Sequence, residues 1–335
     1  MAGKLADVAK QAGVSEATVS RVLNGKQGIS DATRAAVLTA LDVIGYERPT
    51  QLRGRQPRMV GLVVPELQNP IFPALAEVVA GALAQRGFNA VLCTRTGSMS
   101  EAEYVDMLLE RQVSGMIFAG GQYAEADAPH EHYARLLRLR LPVVLVNAAA
   151  EHLDFPRVST DDAVAMEQAH AHLAYLGHER IGLILGPADH MPSLRKLEAF
   201  ERLSHSADLV ERTRFSLEGG HAAATRLLAR GVTAIICASD PLALGAIRAV
   251  RRAGMSVPAD VSVVGYDDSA FMSCTDPPLT TVRQPIDALG RAAVELLTGQ
   301  IEGAQVAAEE LFFEPEIVAR GSTATAPSRA ALAQV

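Results

Sequence analysis

The sequence has no tryptophan and only three cysteines, Cys93, Cys237 and Cys274, without a Cys-x-x-Cys spacing. A disulfide framework or a cysteine-based zinc site is therefore not expected, and buried thiols are predicted instead. No apolar run reaches the ~18 residues that a membrane-spanning helix needs. The first ten residues, MAGKLADVAK, also lack the apolar stretch of a secretion signal. These absences predict a cytoplasmic protein with no membrane partner.

Motifs that mark common enzyme sites are missing as well. The sequence contains no Gly-x-Ser-x-Gly, no phosphate loop ending in Gly-Lys-Ser or Gly-Lys-Thr, no His-Glu-x-x-His and no Gly-x-Gly-x-x-Gly after a strand. The histidine pairs His130/His132 and His170/His172 are two residues apart, and on a helix that spacing points their rings apart. We therefore predict no enzyme, no cofactor and no metal ion.

The charge is distributed unevenly along a chain whose composition is that of a packed protein. Apolar residues make up 49% of its 335 residues and charged residues 21%, and this length suits two or three domains. Residues 1–58 carry nine basic and five acidic side chains, whereas the remainder carries 22 basic and 33 acidic ones. A basic head on an acidic body indicates that the head alone approaches phosphates.

The first 24 residues have the pattern of two short helices joined by a glycine turn. The first predicted helix has apolar residues at helical spacing, and Gly13 breaks it where a left-handed residue is needed. Ser15 stands where an N-cap oxygen would begin the second helix, which carries Val19, Val22 and Leu23 on one face. This arrangement is typical of a helix-turn-helix whose second helix enters a DNA major groove. A small helical hairpin that serves only packing is the alternative.

The run LADVA at residues 5–9, GVS at 13–15 and ATVSRVLN at 17–24 resembles the amino terminus of the lactose-repressor (LacI) family of bacterial transcription regulators. The resemblance implies a small all-α helix-turn-helix head followed by an α/β core of two Rossmann-like lobes of the periplasmic-binding-protein type. We assign the head to residues 1–46 and a short hinge to residues 47–58. The core then spans residues 59–320 and ends in a frayed tail at 323–335.

By this resemblance the recognition helix reads bases through Glu16, Ala17 and Arg21. Arginine can pair with guanine, glutamate can accept from cytosine, and alanine can touch a thymine methyl group. Glu16 could equally be a first-turn acid that favours the helix dipole. The other predicted DNA-binding residues are short polar side chains suited to phosphates, namely Ser15, Thr18, Ser20, Asn24, Ser30 and Thr33.

The basic linker from Thr50 to Arg58 follows the head. In the LacI family this segment forms a hinge helix on DNA, and one leucine wedges into the minor groove; Leu52 is the only candidate here. The linker is a few residues shorter than is usual in the family. A plain tether is therefore the alternative.

From Met59 onward, apolar runs of strand length alternate with helical stretches, which predicts parallel sheets covered on both faces. The strands are too many for one compact sheet, so two lobes are predicted. By resemblance the first lobe spans roughly 59–157 with 286–313, and the second roughly 158–285 with 314–322. The predicted strands are Val60–Pro65, Ala90–Thr94, Gly115–Ala119, Pro142–Asn147, Ile181–Gly186, Ala234–Ala238 and Val261–Tyr266.

A ligand site between two such lobes should lie at the carboxyl ends of the strands. Asn147, Asp240 and Asp267 stand at strand ends, where a carboxylate can accept two sugar hydroxyl groups and an amide can donate to one. Asp240 precedes Pro241 and an apolar helix, so capping of that helix is the alternative role.

The family resemblance adds four effector-binding candidates. The stretch from Ser262 to Gln284 resembles the lactose repressor closely and implies effector contact for Asp267 and Gln284. The sequence Asn-Pro-Ile-Phe ending at Phe72 resembles a first-lobe loop whose aromatic ring lies on the effector, although Phe72 could instead belong to the lobe core. The family's effector-binding arginine aligns with Lys196, and Arg195 could substitute for it.

These observations predict a dimeric repressor of carbohydrate-utilisation genes that binds a palindromic operator and is released by a small sugar. The predicted localisation is the cytoplasm, in association with the nucleoid. The tail carries no leucine heptads, so a homodimer is expected. Residues 46–49 and 186–200 resemble actinobacterial regulators that respond to maltose or α-glucosides. The alternative function is a sugar-binding sensor module that does not itself bind DNA.

Overall fold

A computed structural model describes residues 2–23, 28–44, 58–94, 99–147, 153–204 and 207–327. The chain divides into two compact units, with the boundary between Arg58 and Met59. Residues 47–57 of the predicted hinge (47–58) lie outside the described residues, and Arg58 begins the first strand. No helix in the described part of the chain is long and apolar enough to cross a membrane.

The first unit is a three-helix head. Its helices are α1 (Ala2–Ala12), α2 (Glu16–Leu23) and α3 (Asp31–Val43). Gly13 has a φ of 66° and turns the chain after α1, a conformation that costs glycine little. A small core of fully buried side chains, among them Val8, Val19 and Leu41, holds the helices together. The predicted helix-turn-helix head is confirmed.

The second unit contains two parallel sheets and the helices that cover them. In chain order its elements are β1 (Arg58–Val64), α4 (Ile71–Gln85), β2 (Phe88–Thr94), α5 (Glu101–Glu110), β3 (Gly115–Ala119), α6 (Glu131–Leu139), β4 (Val143–Val146), β5 (Arg157–Thr160), α7 (Asp162–Tyr175), β6 (Ile181–Leu185), α8 (Met191–Leu203), β7 (Val210–Arg212), α9 (Leu217–Leu228), β8 (Ala234–Cys237), α10 (Asp240–Arg252), β9 (Ser262–Asp267), β10 (Thr280–Arg283), α11 (Ile286–Ile301), β11 (Glu310–Phe313) and β12 (Glu316–Val318). All seven predicted strands are present.

The first lobe is built on the sheet β11-β5-β4-β3-β1-β2. Successive side chains of a strand point to opposite faces. In β3, Met116 and Phe118 pack with α5 and α6, whereas Ile117 and Ala119 pack with α4 and α11. The sheet therefore has an apolar core on each face, which explains why its central strands read as continuous apolar runs.

The second lobe is built on the sheet β12-β10-β9-β8-β6-β7. Its pairings are parallel except for the antiparallel pair of β10 with β12. One extended core of buried residues, including Phe200 and Val263, joins the sheet to its helices. The first crossing between the lobes comes after Thr160, because β5 pairs with β4 and β11 of the first lobe. The predicted boundary at residue 157 therefore moves to residue 160.

The predicted frayed tail at 323–335 needs a correction. The backbone N–H of Ala324 donates to Ser262 Oγ over 3.0 Å, and that of Ala326 donates to the carbonyl of Leu176 over 2.9 Å. Residues up to Ala326 are thus bound to the second lobe by hydrogen bonds, and the last eight residues of the chain lie outside the described part.

The three cysteines occupy different environments. Cys93 and Cys237 are buried, as predicted, but Cys274 is exposed. Burial raises the pKa of the Cys93 and Cys237 thiols, so both stay protonated and unreactive.

Candidate functional site

A cavity of about 840 Å³ lies between the two lobes of the second unit. It opens at the carboxyl ends of the parallel strands, where ligands of such folds bind. The first lobe contributes residues that follow β1, β3 and β4, including Asn69, Phe72 and Asn147. The second lobe contributes Lys196 and Asp267 among others. The volume lies in the range of about 300–1,000 Å³ that is typical of small-molecule sites.

A chain of hydrogen bonds crosses the floor of this cavity. Asn69 Nδ2 donates to Asp267 Oδ2 over 3.2 Å, and Gln284 Nε2 donates to Asp267 Oδ1 over 2.7 Å. Gln284 Oε1 accepts from Asn147 Nδ2 over 2.7 Å and from Thr160 Oγ1 over 2.9 Å. Asp267 therefore joins the two lobes, and each of its oxygens keeps a further acceptor position.

The backbone at two of these residues is in an uncommon conformation. Asn147 has a φ of 57° and Asp267 a φ of 118°. A non-glycine residue at such an angle costs on the order of 1–3 kcal/mol and persists where its surroundings hold it, often at a binding site. The backbone N–H of Thr160 donates to Asn147 Oδ1 over 2.9 Å and fixes the amide. At each of these two strand ends the backbone conformation directs the side chain, Asn147 or Asp267, into the cavity.

Asp267 is buried beside a second carboxyl group, that of Asp240. Burial, followed by the charge of Asp240, raises the pKa of Asp267, and burial likewise raises the pKa of Asp240. Gln284 and Asn69 act in the opposite direction because their hydrogen bonds favour the charged form of Asp267. The two buried carboxyl groups therefore oppose each other's ionisation and titrate as a pair.

Asp240 itself does not line the cavity. Its Oδ2 accepts from the backbone N–H and the hydroxyl group of Ser269 over 2.7 and 2.9 Å, and its Oδ1 accepts from Thr281 Oγ1 over 2.7 Å. The cap of α10 is instead Ser239, whose Oγ accepts from the N–H of Leu242. Asp240 thus supports the turn after Asp267 from behind, and neither role predicted from the sequence describes its position.

Lys196 reaches the cavity wall, but its charge is already paired. Its Nζ is hydrogen bonded to Asp162 Oδ1 and lies 3.9 Å from the centre of the Tyr266 ring. The hydroxyl group of Tyr266 donates to the same Asp162 oxygen over 3.2 Å. Only 4% of Lys196 is exposed. A buried ion pair over an aromatic face is the way in which the second lobe accommodates this cation.

Arg195, predicted as the alternative to Lys196, points away from the cavity. Its two terminal nitrogens donate to the two oxygens of Glu310 over 2.7 and 2.8 Å, and its guanidinium lies 5.5 Å from the centre of the Phe312 ring. Burial opposes the charge of Glu310, yet the hydrogen bonds from Arg195 hold the pKa of Glu310 below its usual value. Because α8 belongs to the second lobe and β11 to the first, this pair is a second cross-lobe contact.

Phe72 combines the two roles left open by the sequence. Its ring lines the cavity and also packs, partly buried, against a core of the first lobe. A Cβ atom at Gly120, which has a φ of 85°, would lie 3.2 Å from Phe72 Cε1. Gly120 therefore lets the ring approach the strand end closely.

Sequence reasoning did not single out four residues of the second-lobe wall: Tyr266, Phe215, His190 and Ser193. The rings of His190 and Phe215 meet edge to face at 5.1 Å, and His190 Nδ1 lies 3.0 Å from Ser193 Oγ. Burial, and then the charge of Lys196, lowers the pKa of His190 to about 3. Phe215 follows the short strand β7. The residues around it form no apolar run, so the sequence carried no signal that would place Phe215 at a strand end beside the cavity.

The lobes also touch at the mouth of the cavity. The backbone N–H of Ala126 donates to the carbonyl of Asp189 over 2.9 Å, and Glu125 forms an isolated antiparallel bridge with His190. A buried carboxylate, Glu101, accepts from the N–H of Gln122 over 3.1 Å and so supports the segment that leads to this contact. These backbone contacts join the two lobes beside the cavity.

In the first unit, α2 presents a polar face. Ser15 Oγ accepts from the N–H of Thr18 over 3.2 Å, and Ser30 Oγ accepts from the N–H of Thr33 over 3.2 Å, so both serines begin helices. Four predicted DNA-binding residues are exposed along α2, namely Glu16, Ala17, Ser20 and Arg21. Asn24 and Leu52 lie outside the described residues. Among the residues that are described, no group of histidine, cysteine and acidic side chains is arranged to hold a metal ion.

Two family models match the chain. The model described as "Bacterial regulatory proteins, lacI family" matches residues 4–49, and the model of a periplasmic binding protein-like domain matches residues 170–323. The first match covers the three-helix head, and the second covers most of the second lobe with α11.

Relatives and solved structures extend the similarity to nearly the whole chain. The HTH-type transcriptional regulator MalR of Streptomyces coelicolor is 52% identical over 338 residues, which cover 98% of each chain. A complex of the transcriptional regulator CelR with cellobiose is 32% identical, with a TM-score of 0.72 over 95% of this chain and 99% of that one. The lac repressor dimer bound to operator and the anti-inducer ONPF is 28% identical, with a TM-score of 0.75 over 95% and 98%.

Proposed function

The chain belongs to the lacI family of bacterial regulatory proteins, and from this we propose that it represses carbohydrate-utilisation genes as a homodimer that a small sugar releases from its operator. Two solved relatives support the sugar ligand, the dimer and the operator in this proposal, since one is a complex with cellobiose and another is a dimer on operator DNA. In this function the protein works at the nucleoid and catalyses no reaction.

The exposed face of α2 supports the DNA-binding part of the proposal. Arg21 can donate to guanine O6 and N7, Glu16 can accept from cytosine N4, and Ala17 can contact a thymine methyl group. Arg21 and its neighbours are exposed on a head that carries a net positive charge, while the remainder of the chain is acidic. Phosphate attraction and base reading are therefore concentrated in one small unit.

The cavity supports the sugar-binding part. The single observation that carries it is the hydrogen-bonded chain through Asp267, which presents acceptor positions and amide donors beside the ring of Phe72. Sugars combine hydroxyl groups, which need such partners, with C–H faces that pack on aromatic rings. Phe72, Asn147, Asp267 and Gln284 are the proposed direct contacts, and Lys196 is proposed to orient the wall beside them.

Release from DNA requires that the sugar bind two lobe arrangements with different affinity. The contacts that span the lobes, Asn69 with Asp267 and Arg195 with Glu310, are the ones whose geometry depends on that arrangement. We propose that the sugar acts on the lobe arrangement through the first of these contacts, and that the hinge transmits the change to the head.

Arg21→Ala in the full-length protein tests the DNA-binding part. We expect a loss of about 1–3 kcal/mol in the free energy of binding to its operator, with relaxed preference at one base pair. Mobility-shift titrations on the operator and on single-base variants measure both quantities. Arg202→Ala is the matched control, because Arg202 is an exposed arginine of α8 paired with Glu198.

Sugar affinity, measured by calorimetry on the same Arg21→Ala protein, should equal that of the unsubstituted protein. A protein that binds sugars and no promoter DNA would instead be a sensor module, and the repressor proposal would fail. Uniform weakening of Arg21→Ala on all sequences would make Arg21 a phosphate contact.

A further inference from the structure

Tyr123 lies in the first lobe, behind the wall of the cavity. Its side chain is fully buried and is not among those that line the cavity. The ring packs edge to face on Phe118, with the centroids 6.4 Å apart, and on Tyr133 at 6.0 Å. These contacts fix the direction of the hydroxyl group of Tyr123. Burial raises the pKa of Tyr123, so the hydroxyl group keeps its hydrogen and can both donate and accept.

This hydroxyl group is bonded to the ends of two neighbouring strands. The backbone N–H of Gly120, directly after β3, donates to Tyr123 Oη over 2.6 Å. The hydroxyl group is also hydrogen bonded to the carbonyl of Val146, the last residue of β4, and the carbonyl of Phe118 is a second acceptor within reach at 3.1 Å. Gly120 and Val146 both line the cavity. One buried oxygen therefore ties together two strand ends of the cavity wall.

The peptide group between Val146 and Asn147 is held from both sides. Its carbonyl is bonded to Tyr123, and its N–H donates to the carbonyl of Val158 over 2.9 Å. Because a peptide group is planar, these two bonds set its orientation and help to keep Asn147 at a φ of 57°. The Asn147 amide donates one hydrogen to Gln284. Its second hydrogen is suited to a hydroxyl group of a ligand.

The same tyrosine also acts on the chain beside Phe72. A Cβ atom at Gly120 would lie 3.2 Å from Phe72 Cε1, so the position of Gly120 limits how closely the ring approaches the strand end. The bond from the N–H of Gly120 to Tyr123 sets that position. The two first-lobe side chains proposed to contact the sugar, Asn147 and Phe72, thus both depend on one hydroxyl group.

The segment that carries Tyr123 is anchored from the helices behind it. Tyr133 of α6 accepts from the N–H of Tyr123 over 3.1 Å, and its hydroxyl group is bonded to the buried carboxylate of Glu101 in α5. Glu101 also accepts from the N–H of Gln122 over 3.1 Å. The lobe core therefore holds Tyr123 in place through bonds that involve no ligand, which is the arrangement expected of a preorganised site.

We propose that Tyr123 is a positioning residue for the sugar site, which sets the Asn147 amide and the Phe72 ring for the ligand through its hydroxyl group. This inference rests on the proposed function, in which the ligand is a sugar. Tyr123 does not itself line the cavity. Its substitution should therefore weaken sugar binding only through the residues that it positions.

The test is calorimetric titration of the full-length Tyr123→Phe protein. The probe is whichever of maltose, cellobiose, trehalose and sucrose binds the unsubstituted protein most tightly. We expect binding about tenfold weaker, because the N–H of Gly120 and the carbonyl of Val146 lose a buried partner and the strand ends shift.

A double-mutant cycle with Asn147→Gly separates positioning from general stability. Glycine removes the amide and adopts the same φ without strain. In the Asn147→Gly protein, Tyr123→Phe should weaken sugar binding by less than about threefold further, because only the effect on Phe72 remains. A tyrosine that served packing alone would not show this dependence on Asn147.

Leu108→Ala is the control for stability. Leu108 is buried in the same apolar core, on α5, and does not line the cavity. Urea denaturation should show that this variant is destabilised, because a cavity replaces the side chain, whereas its sugar affinity should stay within about twofold of the unsubstituted protein.

Tyr133→Phe gives a second test should Tyr123→Phe fail to fold. It removes the oxygen that accepts from the N–H of Tyr123. We expect sugar binding about threefold weaker, and the loss should again diminish in the Asn147→Gly protein.

The outcomes distinguish this inference from the function on which it rests. Unchanged sugar affinity in Tyr123→Phe would overturn the inference and leave a sugar-responsive repressor standing. Equal losses with and without the Asn147 amide would also overturn it, since Tyr123 would then act on the lobe as a whole. If none of the four sugars binds the unsubstituted protein, the sugar effector of the proposed function is wrong and the inference falls with it.

Discussion

The two lobes share one architecture and contribute different chemistry to the cavity between them. Each has a six-stranded sheet with a nearly equivalent strand order. The first-lobe residues that enter the hydrogen-bonded chain of the cavity floor are neutral amides, Asn69 and Asn147, and the ring of Phe72 lines the same wall. The second lobe supplies the buried charges of Lys196 and Asp162, which are paired directly and are both in contact with Tyr266.

This difference indicates that one lobe is prepared for the ligand and the other responds to it. The Lys196, Asp162 and Tyr266 contacts all lie within the second lobe, so they persist whatever the first lobe does. The amide of Asn69, by contrast, is bonded across the cavity to Asp267. A site whose charges are fixed in advance loses less free energy on binding. The second lobe would thus be the platform and the first lobe the part that closes.

The largest expected effect comes from breaking the charge pair of the platform. Lys196→Ala should reduce the free energy of unfolding by about 3–5 kcal/mol, because it leaves Asp162 as a buried charge without its partner. Urea denaturation measures the change. The double substitution Lys196→Met with Asp162→Asn removes both charges and should recover most of the loss. A double variant as unstable as Lys196→Ala would show that packing, and not charge, stabilises this wall.

The acceptor that joins the lobes should give the next largest effect. Asp267→Asn should weaken sugar binding about 100-fold, since it replaces an acceptor of Gln284 and Asn69 by a group that must also donate. The neighbouring Asp268 is a matched control, because its carboxylate is paired with Arg283 and Arg320 and does not line the cavity. Calorimetry on Asp268→Asn should show less than a threefold change. Similar losses in both variants would contradict a direct role for Asp267.

The Arg195–Glu310 pair should affect coupling more than binding. Arg195→Lys keeps the charge but loses the two parallel hydrogen bonds to Glu310. We expect the free energy that couples sugar to operator to change by about 1–2 kcal/mol, while sugar affinity in the absence of DNA changes less. Operator titrations with and without saturating sugar measure the coupling. An unchanged coupling would assign the pair to stability alone.

The sequence predicted the elements whose signals are local. The helix-turn-helix and the seven apolar strands depend on periodicity and glycine punctuation, and each is present in the structure. The strands β5, β7, β10, β11 and β12 were not predicted, because each is only three or four residues long. Such strands exist because they pair with neighbours that are distant in the chain, which no local pattern records.

The same distinction between local patterns and long-range packing applies to the residues of the site. Asp267 and Asp240 both follow a strand, but the backbone turns Asp267 into the cavity at a φ of 118° and leaves Asp240 behind it. Lys196 and Arg195 are adjacent on one helix, so a rotation of about 100° decides which one faces the cavity. That rotation is set by packing of α8 against the second-lobe core, through residues such as Phe200. Sequence alone leaves both alternatives open.

The smallest expected effect concerns pH and the platform. The pKa of His190 is lowered from 6.5 to about 3 by burial and by Lys196. The unfolded chain therefore takes up this proton near pH 6.5 and the folded one only near pH 3. It follows that the stability contributed by the neutral ring is complete above pH 6.5 and is lost as the pH falls towards 3. By pH 5 the loss should be about 1 kcal/mol, because the ring keeps some contact with water.

His190→Gln should remove this part of the pH dependence. Urea denaturation at pH 7 and pH 5 on both proteins measures it, and the carboxylates common to the two proteins cancel in the comparison. The groups that face the ring are Lys196 and Ser193, with Phe215 at its edge. If the two proteins lose equal stability on acidification, His190 titrates like a solvent-exposed histidine. The Lys196–Asp162 pair would then be the feature that fixes the second-lobe wall before the sugar binds. The uncharged His190 ring would not contribute to it.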